Sequence, residues 1–250
     1  MISVVIPSID AAKFAIAQAS YQQAMGDEPW ELIGIHDAKS LADGYNRGAA
    51  KARGEFVVFS HDDIEILSPD LPAKIKSHLT RFDLIGIAGT DRLSCARWQS
   101  AGPGHIFGQI AHDFPGDKMV VNIFGAPSPA VGNIQGLDGV FLAARRSTLA
   151  RFAFDAVTFD GFHVYDVDFA MQFHHAKMRV GVACDIALLH QSVGNFDESW
   201  RVFAQRFERK WRGKLQPKSP VIWYQVAVAE AHSREHALEL MTPPHWSEAT

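Results

Sequence analysis

A chain of 250 residues with 47% hydrophobic and 21% charged residues has the composition of a folded globular protein, which excludes wholesale disorder and collagen-like repeats. Its formal net charge of −4, from 24 Lys+Arg against 28 Asp+Glu, argues against a general nucleic-acid partner, and no apolar run approaches the ~20 residues of a membrane span. Cys95 and Cys184 are too few for a disulfide framework or a thiolate zinc site, and MISVVIPS opens the chain as a strand rather than a signal peptide, so a reducing cytoplasm is the expected compartment.

The first ninety residues alternate strand and helix signals, the mark of an α/β fold on a mostly parallel sheet. Residues 2–6 are a β-branched run stopped by Pro7, and 11–24, rich in Ala and Gln, read as a helix. A second apolar run, 30–35, ends at His36-Asp37. The next helix is the best specified: Ser40 and Asp43 have capping-box spacing, Leu41, Tyr45, Gly48/Ala49 and Ala52 repeat with a period near 3.6, and Gly54 supplies the stop. Residues 55–60 (EFVVFS) predict a third strand, 71–79 a helix opened by Ser68-Pro69, and 84–89 a fourth strand. From about 91 to 135, Pro103, Pro115, Pro127 and Pro129 lie among many glycines without a stable period, which predicts a long functional or flexible loop. Strands are expected at 140–143 and 180–183, with a helix at 167–176 between them. Two more helices follow, at 197–213 and 221–240. The expected organisation is one α/β domain over 1–195 with a helical extension, 196–250, packed on it.

In open parallel sheets, ligands bind beyond the carboxyl ends of the strands. Pro7-Ser8, His36-Asp37 and His61-Asp62-Asp63 fall there. Alternation puts His61 and Asp63 on one face and Asp62 on the other. Adjacent carboxylates flanked by His at the end of an apolar strand are costly unless hydrated or bound to a cation. A divalent metal carrying substrate phosphates answers that cost; the other reading is a solvated loop whose Asp caps the next helix. A helix opening at Tyr165-Asp166-Val167-Asp168 would separate its two carboxylates by about 200°. Asp166 at the N-cap would then face the cleft, or merely cap, while Asp168 supports the helix dipole or orients a neighbour.

ISVVIPS, the helix LADGYNRGAAKARGE and then FVVFSHDD resemble the nucleotide-sugar half of family-2-type glycosyltransferases with the GT-A fold. The resemblance is to the bacterial subgroup in which a His-containing motif replaces Asp-x-Asp. LDGVFLAARRS resembles the acceptor-side strand, FDGFHVYDVDFAMQFHHAKMRVGV the segment that ends Glu-Asp-x-Asp, and LLHQSVG the late histidine motif. Together they cover residues 1 to about 195. The resemblance implies a Rossmann-like sheet flanked by helices and an inverting transfer from a nucleotide-diphosphate sugar, a UDP-sugar first, to a glycan or lipid-linked hydroxyl. It also implies Mn²⁺ or Mg²⁺, and a role in bacterial surface polysaccharide or glycolipid synthesis, in the cytoplasm or at the inner face of the membrane. By the same resemblance Asp63, His190 and His61 would hold the metal, and Asp62 would contact ribose or the metal shell. Pro7, Ser8, Asp37, Asn46 and Gly139 would surround the donor, and Asp166 would be the general base. Two departures stand out: the Asp-rich stretch after the second strand is shortened to His36-Asp37-Ala38-Lys39, and Tyr165 stands where many relatives have Glu.

His105 and His112, in the 91–135 segment, are expected to face solvent or the acceptor. Phe203, Phe207 and Trp211 form an apolar helix stripe. Arg201, Arg206, Arg209, Lys210, Arg212 and Lys214 make the same helix basic, facing solvent, anionic lipid or a lipid-diphosphate acceptor. A nucleotidyltransferase should carry a Gly-rich loop with Arg and Lys where this chain reads PSIDAAKF. A catalytically silent nucleotide-sugar or glycan-binding domain is separated from an enzyme only by measuring turnover.

Overall fold

The computed structural model describes residues 1–114, 118–192, 194, 196–218, 226–243 and 246. Its first half runs β1 (Ile2–Pro7), α1 (Ala11–Met25), β2 (Trp30–Ile35), α2 (Leu41–Lys51), β3 (Phe56–Ser60), β4 (Ile64–Ile66), α3 (Leu71–Arg81), β5 (Leu84–Gly86) and β6 (Ala88–Thr90). After a 3-10 turn at Trp98–Ala101 come β7 (Ile106–Phe114), β8 (Lys118–Gly125), β9 (Ala130–Val131), β10 (Gly136–Leu137), β11 (Phe141–Arg145) and the short α4 (Arg146–Leu149). The remainder is α5 (Tyr165–His175), β12 (Val180–Ala183), β13 (Leu188–His190), α6 (Glu198–Lys210), β14 (Ala227–Ala231) and α7 (Arg234–Leu240).

Two sheets form. The first has the order β2-β1-β3-β11-β5-β12-β9. β1 pairs in parallel with β2 and β3, and β5 with β12, but β11 lies antiparallel between β3 and β5. The second has the order β10-β6-β7-β13-β4, with β8 on β7 and β14 on β8. β1 and β3 are buried along their whole length, as strands covered on both faces must be, which is why they read as unbroken apolar runs. Caps fix the helices beside them. Asp10 accepts from the amides of Ala12 and Lys13 at the start of α1, and Ser40 Oγ accepts from Asp43 N at the start of α2.

Three expectations change. The apolar run 84–89 is two strands, broken at Ile87, so that one segment serves both sheets. Residues 91–135 are not one long loop, because β7 and β8 build the second sheet within them. The 221–240 helix is replaced by β14 and α7; its residues 221–225 lie outside the described residues. β14 zips antiparallel onto β8, with Ala229 opposite Val121. The stripe on α6 packs as its period predicts: Phe203, Phe207 and Trp211 join the core that also fills the first sheet. Among the described residues no helix is long and apolar enough to cross a membrane.

Candidate active site

The second sheet brings the polar residues together. β13 runs antiparallel to β4, placing His190 opposite Ile64, and parallel to β7, placing His190 beside His112. Gln191 N donates to Asp63 O at 2.9 Å, which closes the β4 end of the site. His190 Nε2 lies 3.1 Å from Asp63 Oδ1, and His61 Nδ1 lies 3.4 Å from His190 Nε2 and 3.8 Å from Asp63 Oδ1. Ser192 Oγ is 3.0 Å from His190 Nε2. Asp62 points the other way and accepts from Ser8 Oγ at 2.6 Å. One carboxylate and two imidazoles thus offer ligand atoms that all lie within 4.8 Å of one another. That donor set fits a divalent cation of mixed oxygen and nitrogen preference, and its small spread allows one ion to reach all three.

Electrostatics agree with a centre built for positive charge. Burial raises the Asp63 carboxyl, but the His190 hydrogen bond, the His190 and His61 charges and the Ser192 hydroxyl more than offset this and hold it well below the usual carboxylate range. Burial, then the neighbouring His190, lowers the His61 imidazole below its usual range.

This centre stands on the wall between two cavities. The smaller, about 230 Å³, is lined by Pro7, Ser8, Ile9, Asp62 and Asp63 at the ends of β1 and β3. The larger, about 500 Å³, is lined by His190, His112, Asp166, Trp98, Phe124 and Trp200 among others. His61 borders both.

Asp166 sits half-buried in the larger cavity, but not as an N-cap. Val164 holds that place in a left-handed conformation, φ 65°, and Asp166 is the second residue of α5. A β-branched residue with positive φ is strained, and here the bend turns Tyr165 inward and Asp166 toward the cavity. Burial, then the nearby Asp138 carboxylate, pushes Asp166 up to about 7, against backbone N–H groups of Val167, Asp166 and Gly139 that favour its charged form. Asp138 itself accepts from Trp98 Nε1 at 3.2 Å and Val140 N at 3.0 Å. Asp168 is fully buried on the other side of α5, accepting from Lys210, Trp211 Nε1 and Gln172 at 2.8 Å each.

Several expected donor contacts are placed elsewhere. Asn46 clamps the backbone of Phe154, donating to its O at 2.8 Å and accepting from its N at 2.9 Å, so its amide is spent inside the fold. Asp37 is exposed and ion-paired with Arg47 rather than lining the smaller cavity. Gly139 lines the larger cavity, where a Cβ would collide with the Tyr165 hydroxyl. His112, expected to face solvent or the acceptor, is buried and lines the larger cavity. Its Nδ1 lies 3.0 Å from His190 O and 3.1 Å from Ser192 O, so it must donate there and brace the loop behind the centre. Asp138 and Ser192 are the residues that sequence reasoning missed; the sequence singles out His112, but only the β7–β13 register shows that it stands beside His190.

A mixed sheet of this order flanked by helices, with a pocket at its strand ends, is a GT-A type of fold. The sequence model of the glycosyltransferase-like family matches residues 7–214, and the chain belongs to that family. Among solved structures, it is similar to the mannosyltransferase PcManGT from Pyrobaculum calidifontis, solved in complex with GDP-Man and Mn²⁺: 15% identity, TM-score 0.52, covering 86% of this chain and 65% of that one. TarS 1-349 from S. aureus matches at 15% identity and TM-score 0.46, with 85% and 72% covered. No curated protein matches the sequence.

Proposed function

We propose that the protein is a metal-dependent, inverting glycosyltransferase that moves a sugar from a nucleotide-diphosphate donor to a hydroxyl acceptor. The observation that carries this reading is the His61–Asp63–His190 centre on the wall between two cavities, with Asp166 in the larger. The smaller cavity suits the nucleotide, at the strand ends where α/β sheets take such ligands. The larger, rimmed by Phe162 and Phe196, suits an acceptor with an apolar or sugar face. A divalent cation held by His61, Asp63 and His190 would neutralise the departing diphosphate.

In the transfer, the acceptor oxygen bonds to the anomeric carbon as the bond from that carbon to the diphosphate breaks. Asp166 takes the hydroxyl proton, and the nucleoside diphosphate leaves with the bonding pair. A base near pH 7 matches this task. Ser8 holds Asp62 against the donor pocket, and Asp138 keeps Asp166 poised by its charge.

A UDP-sugar is the first donor to test, Mn²⁺ the first metal and Mg²⁺ the second; GDP-Man with Mn²⁺ in the mannosyltransferase PcManGT supports the pairing of such a donor with such an ion. The acceptor is a glycan or a lipid-linked glycan, and the setting is surface polysaccharide or glycolipid synthesis at the cytoplasmic face of a membrane. Exposed Arg209, Arg212 and Lys214 support a lipid contact, whereas Arg206 and Lys210 are paired with Asp160 and Asp155. The test is release of nucleoside diphosphate from a donor panel with and without Mn²⁺, in wild type and Asp63→Ala. Metal-dependent release lost in Asp63→Ala is expected. Binding without release under any acceptor would leave a silent sugar-nucleotide binder, and metal-independent release would remove the cation from the reading.

A further inference from the structure

The two nitrogens of His61 have different neighbours. Nε2 lies 2.8 Å from Tyr165 Oη, whereas Nδ1 faces His190 and Asp63. A neutral imidazole carries one proton, and which nitrogen holds it decides which one can serve as a ligand. A second contact of Tyr165 points to one arrangement. Tyr165 Oη donates to Gly139 O at 3.4 Å, and a carbonyl can only accept. With the phenol proton directed to Gly139, Oη has lone pairs left for His61, so the proton between them belongs to His61 Nε2.

The Tyr165 ring is fixed in place by its packing. Tyr165 is 3% exposed, with its ring 5.6 Å from that of Tyr45 and 6.1 Å from that of Phe154. Gly139 has no side chain to keep the two apart, which is what lets its carbonyl come within reach. The result is a directional chain, His61 Nε2–H to Tyr165 Oη–H to Gly139 O, whose far end is fixed backbone.

We propose that Tyr165 is a positioning residue that locks His61 in its Nε2–H tautomer and so presents the Nδ1 lone pair to the centre shared with Asp63 and His190. The inference rests on reading that centre as a divalent-cation site. A partner that holds the remote N–H of a ligating His fixes both tautomer and ring orientation, and losing such a partner typically costs 10–100-fold in metal affinity.

The test uses Tyr165→Phe, which removes one oxygen and keeps the ring, with thermal melting to verify folding. Long-range ¹H–¹⁵N NMR on the metal-free protein above pH 8 reports the tautomer, the His61 signals being assigned by their loss in His61→Gln. Electron paramagnetic resonance of free Mn²⁺, with no donor present, reports binding. Wild-type His61 should carry its proton on Nε2. In Tyr165→Phe the ring should populate both tautomers, and Mn²⁺ affinity should fall 10–100-fold, while Asp63→Ala abolishes it. A wild-type His61 protonated on Nδ1 overturns the proposal, as does an unchanged tautomer or an unchanged Mn²⁺ affinity in Tyr165→Phe. Should the folded wild type bind no Mn²⁺, the cation reading fails, and the tautomer of wild type and variant then decides the role of Tyr165 by itself.

Discussion

Asp166 and Asp168 are two residues apart and do opposite work. Asp166 faces a cavity with a pKa raised to about 7, so turnover should rise with pH through that value as its base form appears. Asp166→Asn should keep donor binding and lose about 10²–10⁴ in turnover, measured as initial rates at saturating donor. Its effect on stability has a definite sign. The unfolded chain loses this proton near the ordinary 3.8 and the folded one near 7, so stability falls as pH rises across that window. Asp166→Asn should therefore melt higher than wild type above pH 7, by about 1–2 kcal/mol after allowing for partial exposure, and show no gain at pH 4. An equal change at both pH values would mean that the carboxylate is not destabilised by burial. At this scale the sequence was readable where chemistry clustered along the chain. Alternation set His61 with Asp63 against Asp62, and the helical turn set Asp166 against Asp168. Asn46 was misread because helix phase cannot show a backbone partner 108 residues away.

The helix α5 is tied to α6 through Asp168, whose carboxylate is fully buried between Lys210, Trp211 and Gln172. Burial pushes this carboxyl up, and its three donors only partly compensate. Replacing it by Ala leaves the Trp211 indole N–H without its acceptor and Lys210 with Asp155 alone. Asp168→Ala should cost about 3 kcal/mol in chemical denaturation, in contrast to Asp166→Asn. A loss below about 1 kcal/mol would mean that water replaces the carboxylate. The elements with one buried face or unbroken apolar runs were legible: β1, α1, β2, α2, β3 and the α6 stripe. β7 was not, for a physical reason. From Gly108 to His112 the strand is buried on both sides, and its polar Gln109 and His112 spend their side chains on backbone carbonyls, so no period of two survives. Gly108, at φ 103°, adds a bulge that shifts the register.

Across the molecule the two sheets are joined by the segment broken at Ile87 and by a common core, and Gln109 adds a link by donating to Cys184 O at 2.9 Å and to Met241 O. Because α6 packs into the same core as the first sheet, unfolding followed by tryptophan fluorescence and by far-ultraviolet circular dichroism should coincide in one transition. Two separated transitions would show that the segment after residue 195 melts as its own unit. Gln109→Ala should lower the midpoint, leaving two buried carbonyls without their donor, at about 1–3 kcal/mol. The sheet order itself was beyond reach of the sequence, since the break at Ile87 is one residue long and carries no turn signal. The wall between the cavities has a thermodynamic meaning of its own. His61 and Phe162 line both cavities, so ligands seated in the two would share two side chains. Coupling of this kind is reciprocal: the factor by which donor strengthens acceptor binding must equal the factor by which acceptor strengthens donor binding. With donor and acceptor seated as proposed, their joint binding isotherm should depart from independence, and replacing His61 should reduce that departure.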